Sequence, residues 1–270
     1  ISGFVQSLAT PTRATGKIAR WQQGICPVAL GLKPAFLRFV VQQVKDIAAK
    51  VGAPVNGDPA CAPNIEIVFT TAPQALLDNI KKRQPGFLGY ADNQTQRDQL
   101  ATVNHPIQAW YTTATQDLNG KVEIDSGKTA GPGLEVYLPC PDEPRGVCLM
   151  HLPNAHAVAV TGSRLGDGLK SGLYNVIIVA DPTRLTEYEM GSLGDYITML
   201  ALSQIGSLDG CEPLPSIVNM LARDCDRKTS ILTDNDRAYL TGLYRMGPEA
   251  APRVQQDEIA YQMEKSLLGK

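Results

Sequence analysis

The chain has 270 residues, 43% hydrophobic and 19% charged, with 25 basic against 27 acidic side chains and a formal net charge of -2. This composition excludes a disordered chain, and so balanced a charge leaves no global field to draw in nucleic acid or an anionic membrane. No apolar run approaches the roughly 18 residues of a membrane-spanning helix, the longest being strand-sized, such as residues 176–180.

Residues 1–16 are small and polar without a helical or strand period, and are expected to form a flexible arm. The chain begins at Ile1 with no basic segment running into a hydrophobic one, which fits a mature chain after signal removal or a trimmed one. Residues 17–21 alternate as a half-buried strand does. Residues 33–51 place Phe36, Leu37, Val40, Val41, Val44, Ile47 and Ala48 on one helical face, with Pro34 in the first turn and Gly52 as terminator. A β-branched strand at 65–69 and a short helix at 73–83 complete a β-α-β-α opening. A polar stretch, 92–100, leads to a strand at 107–115, entered through Pro106. Residues 117–172 are rich in Gly and Pro and predict hairpins and long loops, whereas 174–180 is the most apolar strand and belongs near the sheet centre. Helices are expected from Ser192 to about Gln204, from Pro213 or Pro215 to Ala222, and from Thr233 to Tyr244. The fold class is therefore α/β (α+β), a mixed twisted sheet with packed helices followed by a mostly helical C-terminal part. One domain is expected over 17–247, sheet-rich at 17–189 and helical at 190–247, with 248–270 a partly helical tail.

Six cysteines, Cys26, Cys61, Cys140, Cys148, Cys211 and Cys225, lie beside Pro, Gly and Asp in expected loops, where disulfides form more readily than buried thiols persist. Of the 15 formal pairings, nearest neighbours are the simplest: Cys26 with Cys61, Cys140 with Cys148, Cys211 with Cys225. Disulfides imply an oxidising compartment, periplasmic or extracellular.

Residues 199–209 read Met-Leu-Ala-Leu-Ser-Gln-Ile-Gly-Ser-Leu-Asp and follow the apolar strand on a helix. Their frame resembles that of a metzincin, in which two histidines four apart on a helix, a glutamate beside the first, a glycine and a third ligand hold and use zinc. On that pattern Gly206 falls at the glycine, Asp209 at the third ligand, Met199 and Ser203 at the histidines, and Leu200 at the glutamate. Residues 215–220 resemble the Met-turn, with Val218 where the methionine would stand, and 231–244 resemble the closing C-terminal helix. About 50 residues carry this likeness, and the order of elements agrees with it. A plain alternative is that Ile197, Leu200, Ala201 and Ile205 form a helix core face that Gly206 ends. The resemblance implies a zincin-like frame without zinc chemistry: Met, Ser and Leu supply neither imidazole nor proton acceptor, so no metal and no cofactor is expected.

Other constellations carry less. His151 and His156 are five apart across Pro153, and with His105 they match no zinc spacing. Residues 161–171 are glycine-rich and contain Lys-Ser, but lead into a strand rather than a helix, which reads as an exposed turn and not a phosphate loop. No G-x-S-x-G run occurs. Asp181, Asp195 and Tyr196 are candidates to border a cleft, the plain alternative being that they cap and match helix N-termini. The expectation is a noncatalytic pseudopeptidase of the cell envelope that binds a protein or peptide partner, with no nucleic acid. The alternative is a hydrolase with a non-standard site drawing on loops 117–172.

Overall fold

The computed structural model describes residues 1–125 and 168–269 together with the backbone of 134–139 and 147–152. The expected Cys140–Cys148 pairing, the His151 side chain, His156 and most of the glycine-rich turn at 161–171 lie outside what is described.

A mixed sheet runs in the order β2 (Pro27–Leu30), β3 (Ile65–Phe69), β8 (Lys170–Ala180), β4 (Ile107–Gln116), β5 (Val122–Ile124). β2, β3 and β8 are parallel, while β4 is antiparallel to both β8 and β5. β1 (Arg20–Trp21) pairs in parallel with Gly172 and Leu173, so it extends the β3 edge of β8. β6 (Leu134–Pro139) and β7 (Val147–Leu152) form a separate antiparallel ribbon. The continuous apolar run of β8 is buried on both faces, as a central strand requires.

Helices cover both faces. Ile65, Ile67, Phe69, Val176 and Ile178 face a large core shared with α2 (Pro34–Val51), α5 (Met190–Leu202), α6 (Asp234–Arg245) and α7 (Pro252–Leu268). Trp110, Ile177 and Val179 face a smaller core closed by Leu77 of α3 (Pro73–Arg83), Leu88 of a 3-10 turn and Ala101 after α4 (Gln94–Leu100). α2 begins at Pro34 and ends at Gly52, whose φ of 86° a side chain would strain. Val40, Val44, Ile47 and Ala48 are buried as expected, but Phe36 overhangs the core and is 42% exposed.

Three expectations need correction. Residues 1–16 are not an arm: Ser2–Leu8 form α1, and Phe4, Val5 and Leu8 are fully buried, with the Phe4 ring edge-on to Tyr239 at 6.2 Å. Three apolar side chains suffice because α6 and α7 supply the groove they fill. The strand expected over 17–21 shrinks to Arg20–Trp21, because Lys17 Nζ donates to the carbonyls of Glu249 and Ala250 and the Ile18 N–H to Gln255 Oε1. The helix of the metzincin-like frame stops at Leu202, so Ser203 is an extended C-cap residue.

Cys26–Cys61 ties β2 to the approach to β3, and Cys211–Cys225 closes the loop after α5. Both bonds fit an oxidising compartment. Among the described residues no helix is long and apolar enough to cross a membrane. Replacing Cys211 and Cys225 by serine releases a loop of sequence separation 14, and is expected to cost about 3 kcal/mol. Guanidinium unfolding of the oxidised parent beside the double variant checks this; equal midpoints would show that the bond constrains nothing.

Candidate functional site

A cavity of about 450 Å³ opens at the outer edge of β4. β5 covers that edge at Ala114–Gln116 and the Asp125 N–H reaches Thr113 O at 2.8 Å, so along residues 107–112 β4 is paired on its β8 side and has no second strand on its outer side. One wall is formed by Leu88–Tyr90, α4 and the loop carrying Asn104 and His105; the other by Leu200 and residues 204–209; residues 10–13 complete it. Two glycines allow the close approaches this needs. Gly89, at φ 102°, lies so near the strand that a Cβ would come within 2.8 Å of the Tyr111 carbonyl. A Cβ on Gly206 would strike Thr10 Oγ1 at 2.2 Å, so this glycine seats residues 10–13 against the second wall.

The walls are fixed from behind. Gln108 Oε1 accepts the N–H groups of Asn104 and His105 at 2.9 and 3.3 Å, while its Nε2 donates to the Thr102 carbonyl at 3.2 Å. The end of α5 is buried, yet its last carbonyls are satisfied by side chains. Ser203 Oγ donates to Met199 O at 2.8 Å, Tyr111 to Leu200 O at 3.1 Å, Trp21 Nε1 to Ala201 O at 2.8 Å and Tyr244 to Leu202 O at 2.7 Å. Burial pushes the Tyr111 and Tyr244 hydroxyls well above the ordinary phenol value, so both stay protonated donors.

His105 Nε2 and Asp209 Oδ1 meet at 3.3 Å across the mouth, linking the walls. The Ser207 hydroxyl also turns to Asp209, at 3.4 Å from Oδ2. The carboxylate thus stands between serine and imidazole, which is not the order of a triad, where the imidazole is in the middle. Gln204 Oε1 is shut off from solvent with no hydrogen-bond partner. Among the described residues no three His, Cys, Asp or Glu side chains converge to hold a metal ion.

Of the positions singled out by the metzincin-like frame, Leu200 and Asp209 reach the cavity, and Met199 and Ser203 do not. Met199 and Ser203 are both 0% exposed, whereas the Asp209 side chain is 83% exposed. Val218 is buried in the large core. Asp181, Asp195 and Tyr196 lie away from the cavity. Asp181 caps a 3-10 turn, accepting from Thr183 N at 3.0 Å; Asp195 accepts from Gln43 Nε2 and, at 2.7 Å, from Leu232 N; Tyr196 is core. Residues that sequence reasoning did not assign to a site are Arg13, Gln99, Asn104, Tyr111 and Gln204.

Behind the second wall, Asn219 holds the disulfide loop, its Oδ1 accepting Glu212 N at 2.6 Å and its Nδ2 donating to Leu214 O and Arg227 O at 3.1 and 3.2 Å. Burial pushes the Glu212 carboxyl up; the Ser7 hydroxyl, which donates to it from α1, pulls it back, and nearby Asp236 adds to the rise. A raised acid holds more protons folded than unfolded between the unfolded value, about 4.3, and its folded one. Its stabilisation is therefore complete below about pH 4.3 and lost as pH rises through the folded value. The stability of the wild type relative to Glu212→Gln should fall from pH 4.5 to 7. Thermal midpoints of the two proteins across that range test the sign, and a constant difference refutes it.

Fold and cleft together define an α/β protein with helices on both sheet faces and a polar cleft along its antiparallel strand. No protein-family model matches the chain, and neither a curated protein nor a solved structure is significantly similar to it.

Proposed function

We propose that this is a noncatalytic binding protein of an oxidising extracytoplasmic space, periplasmic or secreted, whose cleft holds a short extended polypeptide. The carrying observation is the outer edge of β4 at the cavity, which along residues 107–112 has no second strand beside it, with amide side chains on both walls. Strand edges offer backbone donors and acceptors to an incoming chain, and amides such as Gln99, Asn104 and Gln204 bind peptide groups without selecting charge. The zincin-like frame is part of this reading, supported by the element order: parallel strands, an antiparallel strand beside the cleft, then a helix ending at it. The frame contributes architecture only, since Met199 and Ser203 pack in the core and Leu200 brings no proton acceptor.

A pool of random decapeptides, recovered with the full chain by size exclusion and weighed by mass spectrometry, tests the reading. Asn104→Trp, on an exposed loop, plugs the cleft without touching the core. Intact peptides retained by the wild type and lost in N104W support it; equal recovery overturns it. Zinc at one equivalent per chain, after purification without chelator, would overturn the metal-free part.

One observation favours a second reading, a hydrolase: the His105–Asp209 pair at this cavity is a carboxylate-oriented imidazole of the kind that activates water. Peptides cleaved by the wild type but not by His105→Ala would establish it in place of the first.

A further inference from the structure

Two phenylalanines stand out of the surface of α2. Phe36 and Phe39 are 42% and 45% exposed, whereas Val40, Val44, Ile47, Ala48 and Val51 of the same helix are buried. Their place follows from Gln43, whose Nε2 donates to the Gly191 carbonyl at 3.4 Å and to Asp195 Oδ1. Phe39 stands one turn before Gln43 and Phe36 two turns before it, on the same side of the helix. β2 and β8 run parallel, and α2 and α5 return from them along one core, so the two helices are parallel as well. Phe36 and Phe39 therefore reach past the start of α5, beside residues 187–190, where Tyr188 and Met190 are only partly buried. Arg38 and Lys45 lie on the other flank of α2, roughly 100° to 180° around the helix from the two rings. The order across this surface is acid, aromatic, base. Residues 181–189 hold Asp181, Glu187 and Glu189 against Arg184, while residues 31–45 hold Lys33, Arg38 and Lys45 and no acid. Arg38, Glu187 and Glu189 are exposed and make no ion pair among the described residues.

Such a patch is complementary to itself: a half turn about an axis through the phenylalanines lays the acidic side of one copy on the basic side of the other. A partner of one charge sign, an anionic lipid surface included, would meet like charge on one side of the rings. We propose that two copies of this chain associate about a two-fold axis at Phe36 and Phe39, with Arg38 of each copy facing Glu187 and Glu189 of the other copy. Aromatic rings at the centre and charges at the rim are the usual anatomy of such a contact. The patch is one helix and one loop wide, so the dimer belongs with the small, reversible interfaces.

Sedimentation velocity of the full chain at roughly 100 μM, above the micromolar dissociation constants of such interfaces, should show a dimer that dissociates on dilution. Phe36→Ser with Phe39→Ser should weaken association at least tenfold while circular dichroism shows the protein folded. Charge reversal supplies a test that misfolding cannot imitate. Arg38→Glu alone, and Glu187→Arg with Glu189→Arg alone, should each be monomeric, since every pair across the axis is then repulsive. An equimolar mixture of those two variants should recover a heterodimer, because in it every such pair is attractive. A wild type that is monomeric at this concentration, a dimer indifferent to the phenylalanines or to the charge reversals, or a mixture that stays monomeric each overturns the proposal.

Discussion

Alanine at position 236 should lower stability by about 4 kcal/mol, and asparagine by about half as much. Asp236 is 0% exposed and accepts from four donors: the Ser216 hydroxyl, Ile217 N at 2.9 Å, Thr233 N at 2.8 Å and the Thr233 hydroxyl at 2.8 Å. It closes the capping box of α6 and joins that helix to the 3-10 turn at Ile217–Leu221. Alanine strands two backbone N–H groups in a dry interior, those of Ile217 and Thr233, the second being the reciprocal half of the capping box, each a recognised cost of one to a few kcal/mol. Asparagine keeps one acceptor oxygen but sets a donor against donors. Burial pushes the Asp236 carboxyl above the ordinary carboxylate range, and these four donors offset part of that rise. Calorimetry should show a fall of roughly 10 °C for Asp236→Ala; a loss below about 1 kcal/mol would mean that water replaces the carboxylate at no great cost.

That capping box could be read from the letters, since Thr233-Asp234-Asn235-Asp236 precedes an apolar period. So could α2, bounded by Pro34 and Gly52, and β8, whose unbroken apolar run suits only a strand covered on both faces. The elements that escaped lacked such local marks. α4 has no apolar stripe; its support is the Asn93 side chain, which accepts Gln96 N at 2.9 Å, and polar pairs such as Gln94 Nε2 to Asp98 at 2.8 Å. α1 owes its existence to a groove made by helices more than two hundred residues later in the chain.

The cleft was less legible still. The metzincin-like frame singles out Asp209, while His105 matches no histidine spacing, so the pair they form across 104 positions has no signal in either local pattern. A helix buried on every side hides its orientation in the same way. From Leu193 to Leu202 only Asp195 is not buried, so hydrophobic periodicity could not say whether Met199 or Leu200 turns toward the opening.

The orientation of α5 yields the strongest test of what the metzincin likeness means. Introducing the missing imidazoles by Met199→His with Ser203→His should not create a zinc site, and should cost about 5 kcal/mol. Both positions are 0% exposed, so each ring must displace packed neighbours and leave a ring nitrogen without a partner. The second change also deletes the Ser203 hydroxyl that satisfies Met199 O at 2.8 Å, at a position whose extended backbone (φ -143°, ψ 143°) no longer continues the helix. Asp209 lies on the cavity rim beside His105, while Met199 and Ser203 are absent from the cavity lining, so the three proposed ligands do not share a space. Equilibrium dialysis against zinc and a denaturation curve on the double variant decide the matter. A folded protein with one tightly held zinc would show that α5 can turn its buried face to the cleft, and that the frame is a metal site awaiting its ligands; a destabilised, zinc-free protein is what the packing demands.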